Sequence, residues 1–126
     1  MENYRSLTND EIDRLKAQSC SAASWSDVLV AENFTPDYVH HARFSGRVRL
    51  GVFEHEFTLS GGICKHAGLS YVTLHNVTVG DNCCIENVKN YIANYEIGAY
   101  TFIENVDIIL VDRKSRFGKT SMVNII

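Results

Sequence analysis

From Phe44 onward, short apolar runs alternate with corners rich in Gly, Asn and Asp. The runs fall at residues 48–50, 57–59, 72–74, 77–79, 83–85, 95–97, 101–103 and 108–110. Pieces this short, with side chains alternating between two faces, predict strands. They recur too quickly for a sandwich of hairpins. The first part of the chain reads differently. Residues 7–18, LTNDEIDRLKAQ, carry Thr8 or Asn9 as N-cap, acids in the first turn, and Ile12 and Leu15 at helical spacing, which predicts one short helix. Turn-rich sequence follows, with apolar pieces at 28–30 and 38–39 and the single proline, Pro36, in a loop.

The strand pattern echoes itself. Residues 75–92, HNVTVGDNCCIENVKNYI, align without a gap on residues 93–110, ANYEIGAYTFIENVDIIL. Within each eighteen-residue unit a six-residue step is visible: Val79, Ile85, Ile97 and Ile103 share one phase, and Val77, Cys83 and Thr101 sit two residues earlier. Both phases point to one face of a strand. This predicts an all-β solenoid: a single-stranded left-handed parallel β-helix of hexapeptide repeats and eighteen-residue coils. Asn76, Asn87, Asn94 and Asn105 each follow an apolar residue by two positions and fit left-handed corners, as do Gly80 and Gly98. Stacked corners would place Asn76 over Asn94 and Asn87 over Asn105, with their amides in a ladder. Lys89 and Asp107 break the inward phase, so a slip of one residue is expected to turn Val88 and Val106 inward and leave this third side the least regular.

A coil gains its strand hydrogen bonds only from the coils beside it, so the ends need covers. The expected division is an N-terminal helix and capping segment at 1–43, with Trp25 helping the helix act as lid, and coils at 44–126. After Leu110 a polar run precedes Phe117 and Gly118, which echo Ile97 and Gly98, and residues 123–126 read as a further strand. The chain is expected to end in mid-coil, as a fragment of something longer.

Bulk properties remove several classes of function. The 126 residues, 45% hydrophobic and 21% charged, suit one domain. A net charge of −3 with no basic stripe argues against a nucleic-acid platform, and no stretch has the length of a membrane span or the form of an export signal. The expected compartment is cytoplasmic. Cys20, Cys64, Cys83 and Cys84 are then free thiols.

The stretches CSAASW, FSGRVRLG, LHNVTVGDN and above all IENVKNYIANYEIG resemble the N-terminal part of an uncharacterised family of much longer bacterial left-handed β-helix proteins. The resemblance runs from Leu7 to about Gly118. It implies a left-handed coil related in architecture to hexapeptide acyltransferases and to the tails of sugar nucleotidyltransferases.

Residues able to do chemistry are few. An acyltransferase needs a histidine to deprotonate its acceptor while acyl-CoA lies along the coil. His75, at a corner before Asn76, is the first candidate, and His66, in the loop GGICKHAG, is the second. The bland reading makes both exposed polar residues. Cys64, His66 and His75 are competent zinc ligands, but they lack ligand spacing, so no metal site is expected. Glu86 and Glu104 stack like charges, as a solvated face countered by Lys89 or as a shared cation site. Tyr91, Tyr95 and Tyr100 would line a sugar or nucleotide groove, or else stack along the coil or form an oligomer contact. Two functions remain: a scaffold that self-associates through coil faces or an edge, and a transferase acting on a sugar or nucleotide-sugar. The abundance of repeat-forming residues favours the scaffold.

Overall fold

A computed structural model describes residues 4–117 and 122–124. The first strand, β1 (Tyr4–Ser6), leads into the helix α1 (Asn9–Ala17). The helix starts where the sequence predicts. The Thr8 hydroxyl accepts from the Glu11 amide at 3.1 Å, and the Glu11 carboxylate accepts from the Thr8 amide at 2.9 Å. This reciprocal box satisfies two backbone donors that the helix leaves open. Arg5 donates to both oxygens of the same carboxylate, at 2.9 and 2.8 Å, tying β1 to the first turn. Leu15 is fully buried and anchors the helix to the core. Among the described residues no helix is long and apolar enough to cross a membrane.

The remaining strands are β2 (Ser21–Ala22), β3 (Val28–Ala31), β4 (Val39–Leu50), β5 (Glu56–Thr58), β6 (Cys64–His66), β7 (Gly68–Val79), β8 (Cys84–Glu86), β9 (Tyr91–Ile97), β10 (Phe102–Glu104), β11 (Ile108–Phe117) and β12 (Met122–Asn124). Ten of them form one mixed sheet whose main path runs β1-β3-β4-β7-β8-β10-β12, with β2 on β4 and β9 between β7 and β11. The pair β1–β3 is antiparallel, and so is the separate two-stranded sheet β5–β6. Long strands bend and serve two neighbours: β7 meets β8 through Gly68–Ser70 and β9 through residues 74–79.

The all-β solenoid, the left-handed parallel β-helix of hexapeptide repeats with eighteen-residue coils, is therefore corrected. The eighteen-residue offset holds for part of the echo, for Leu74 with Ile92 and Ile85 with Ile103, but slips to seventeen where Tyr91 meets Ile108. Elsewhere Val39 meets Leu69 thirty residues on, Leu69 meets Ile85 after sixteen, and Phe102 meets Met122 after twenty. The reason is physical. The β5–β6 hairpin is inserted between β4 and β7, the helix and β1 add a mixed edge, and an echo of thirty-six residues does not dictate pairing beyond itself.

Locally, the pattern of inward residues is legible. Val77, Val79, Cys83, Ile85, Ile97, Thr101 and Ile103 are all buried, and each large aliphatic contributes about 1.5–3 kcal/mol by leaving water. Val88 and Val106 are buried while Lys89 and Asp107 are exposed, so the slip on the third side occurs. The asparagine corners form as well: Asn76, Asn87, Asn94 and Asn105 all have φ between 53° and 58°. Gly80 and Gly98 do not take that conformation. Asn82 and Tyr100 do, at φ 61° and 60°. Residue 118 and residues 125–126, expected to continue the echo, lie outside the described residues.

Candidate functional site

His75 sits on the outward face of β7, between the buried Leu74 and Val77. Its Nδ1 lies 2.8 Å from the Ser45 hydroxyl, and its Nε2 is 3.1 Å from the Asn76 amide nitrogen. An amide NH2 only donates, so Nε2 is the acceptor and the proton rests on Nδ1, directed at Ser45. Asn76 is itself engaged. Its Oδ1 accepts from the Arg47 amide at 2.9 Å, and its Nδ2 donates to Asn94 Oδ1 at 3.3 Å. The histidine is one part of a bracket joining β4, β7 and β9.

The second centre is built by the β5–β6 hairpin. It lays Lys65 across the ends of β8 and β10, where Glu86 and Glu104 stand in register. Lys65 Nζ donates to Glu86 Oε1 at 2.6 Å and to Glu104 Oε2 at 3.1 Å. The Glu86 bond first, and then the Glu104 bond, raise the Lys65 ammonium to about 12. The stacked carboxylates are thus countered by Lys65, not by the exposed Lys89. Next to this bridge, the ring of His66 lies flat on Tyr38, with centroids 3.7 Å apart and planes 12° apart. Its Nδ1 is 2.7 Å from the Ala67 carbonyl, which can only accept, so Nε2 is the basic nitrogen. Tyr38, His40, His66, Ser70 and Glu86 line a cleft of about 250 Å³.

These two centres do not converge. His75 faces the β4–β9 bracket, and His66 faces the hairpin cleft. Cys64 is exposed beside Thr58 and shares no ligand cluster with either. Among the described residues no group of three or more His, Cys, Asp and Glu is placed to hold a metal ion. The tyrosines are dispersed too. Tyr95 packs against the core, and its burial raises its phenol, while Tyr100 is exposed and stands edge-on to His55 at 5.1 Å. The sequence pattern does not reveal Lys65 or Tyr38 as parts of this centre, and it predicts only a surface role for His40, which is exposed. No local spacing relates them to Glu86, since the hairpin and the segment before β4 arrive from outside the echo. Burial holds Cys83 up at about 11 and Cys84 at about 12, both as neutral thiols.

Helix, mixed sheet and braced hairpin define a small β-rich module with a capped helix at one edge. The chain belongs to the family described as Domain of unknown function (DUF4954), whose profile matches residues 4–126. It is similar to an uncharacterized protein of Treponema pallidum (strain Nichols), 31% identical over 115 residues, which are 91% of this chain and 16% of that protein. The chain thus spans about one sixth of the length of that relative. No solved structure matches. The hexapeptide-repeat, acyltransferase-like kinship expected from the sequence is corrected by this family membership, which carries no such description.

Proposed function

We propose that this module is a non-catalytic structural unit of a longer protein, one that self-associates through its strand edges and presents neighbouring parts. The observation that carries the reading is the state of His75: both ring nitrogens are bound to Ser45 and Asn76, so the first-choice base is a structural pin. The length of the Treponema relative supports a place within a larger chain. Four unpaired cysteines, one of them exposed, favour a reducing compartment such as the cytoplasm. Sedimentation of the 126-residue chain tests the proposal: a concentration-dependent oligomer is expected, and a monodisperse monomer up to high micromolar concentration overturns it.

A second reading, a transferase acting on a sugar or nucleotide-sugar with acyl-CoA as a possible donor, rests on His66 alone. Its Nδ1 proton is fixed by the Ala67 carbonyl and its Nε2 is the basic atom beside a cleft. That reading needs a proton acceptor whose loss abolishes turnover, so His66→Gln in the longer protein tests it. Unchanged acyl transfer sinks it.

A further inference from the structure

A cleft apart from both the His75 and the His66 centres lies where β4 and β7 bend toward the third side. It encloses about 640 Å³, and its lining includes His41, Arg43, Tyr71, Thr73, Lys89 and Asn90. Arg43 stands in register with Thr73 across the β4–β7 pair. Ala42, Phe44, Val72 and Leu74 on either side are buried, so alternation turns Arg43 and Thr73 outward together. The Val88 amide donates to the Tyr71 carbonyl at 3.0 Å, which brings Lys89 to the same edge. Among the described residues neither Arg43 nor Lys89 has a carboxylate partner. Asp107, which adjoins this edge, accepts the Asn90 side-chain amide instead.

Tyr71 supplies a second, independent observation. It is 54% exposed, and its ring stacks on His41 with centroids 4.3 Å apart and planes 7° apart. Its backbone sits at φ 56°, and that of His41 at φ 51°. The hydrogen bonds from Asn87 to Ser70 and from Asn105 to Glu86 show that Asn87 and Asn105 occupy the equivalent corner on the following strands, at φ 55° and 58°. Asn tolerates the left-handed region, whereas a bulky aromatic there costs about 1–2 kcal/mol. Two adjacent corners carry exposed, stacked rings where the fold itself is content with Asn. Strain of this kind points to a use for the ring.

We infer that this cleft binds a nucleoside diphosphate, with Arg43 and Lys89 on the phosphates and the Tyr71–His41 stack under the base. An Arg fork and a Lys point charge are complementary to phosphate oxygens. An exposed aromatic face accepts any base by stacking, and Thr73 and Asn90 add hydrogen-bonding groups for the sugar. This inference is independent of the structural role proposed above.

Calorimetric titration of the full chain at low salt, with UDP, ADP, uridine and pyrophosphate, tests it. UDP and ADP should bind saturably, more tightly than pyrophosphate or uridine, and more weakly as salt rises. Arg43→Gln combined with Lys89→Gln should weaken binding at least about tenfold. Both side chains point outward, so this variant keeps its Tm. Tyr71→Asn should reduce UDP affinity to that of pyrophosphate without lowering Tm, because Asn already serves that corner. Absence of saturable binding at low millimolar nucleotide, or unchanged affinity in the double variant, overturns the inference. Equal affinity of the parent chain for pyrophosphate and UDP overturns its nucleoside part.

Discussion

Gly80 has no room for a side chain. A Cβ there would lie 2.7 Å from the Ala99 nitrogen, 2.8 Å from the Gly98 carbonyl carbon and 2.9 Å from the Ile97 oxygen, all backbone atoms of the next layer. The echo predicts a left-handed corner for this glycine and for Gly98. Its actual duty is close approach, and Asn82 takes the corner two residues later, its Oδ1 accepting from the Glu54 and His55 amides at 2.8 and 3.1 Å. Gly80→Ala should therefore destabilise the fold by about 1–3 kcal/mol through overpacking. Gly61→Ala is the instructive comparison: the position is open but has φ 81°, so a smaller cost of about 1 kcal/mol is expected from the backbone alone. Chemical denaturation of the two variants checks the order, and an equal loss in both would show that the close approach at Gly80 does not matter. The asparagine corners were readable because Asn is one of the few side chains that tolerates positive φ. Tyr71 and His41 were not readable as corners, since nothing in an aromatic residue announces a left-handed backbone.

Among elements, α1 was legible to within a residue or two because its signals are local: a cap, an acidic first turn and Leu15 on the inward face. The β5–β6 hairpin was not. Its residues lie within a stretch that sequence reasoning read partly as a coil strand and partly as a loop, and its brace depends on residues twenty-one and thirty-nine positions away. Lys65→Met leaves Glu86 and Glu104 in register with no cation between them. The Lys65 side chain is 30% exposed and the carboxylates 23% and 21%, so solvent screening limits the loss to roughly 1 kcal/mol. Raising the salt concentration should recover most of it, as should adding Glu86→Gln to the variant. If Tm in Lys65→Met is insensitive to both, the bridge does not hold the hairpin.

At the scale of the whole molecule, the ionisable groups define a window of stability. The Lys65 ammonium is raised from 10.5 to about 12 by its two carboxylates, and the Cys83 and Cys84 thiols are raised from 9.0 to about 11 and about 12 by burial. A raised pKa means that the fold favours the protonated form. This stability is complete below the unfolded values and is lost as pH climbs through the folded ones, beginning near pH 9. On the acid side, hydrogen bonding from Arg5 holds the Glu11 carboxyl below its ordinary 4.5. That contribution is present above pH 4.5 and disappears as pH falls through the lowered value. The Tm should therefore be level from about pH 5 to pH 9 and fall on either side. In Glu11→Gln, which keeps a capping acceptor but not the charge, the acid fall should be shallower; an unchanged acid limb would remove the Arg5–Glu11 pair as its cause.

By itself the sequence determined whatever depends on neighbours along the chain: a capped helix, short strands with their inward phase, asparagine corners and the eighteen-residue register of β7 on β9 and of β8 on β10. Periodicity and backbone tolerance are local physics, so one chain carries them. The tertiary structure alone decided how far that register extends, where the hairpin is laid, and that β1 closes an edge antiparallel. It also decided which charged groups meet. Lys65 with Glu86, Ser45 with His75, and Arg43 with Lys89 are juxtaposed by strand pairing and insertion across long separations. Side-chain chemistry in sequence order contains no trace of such distances.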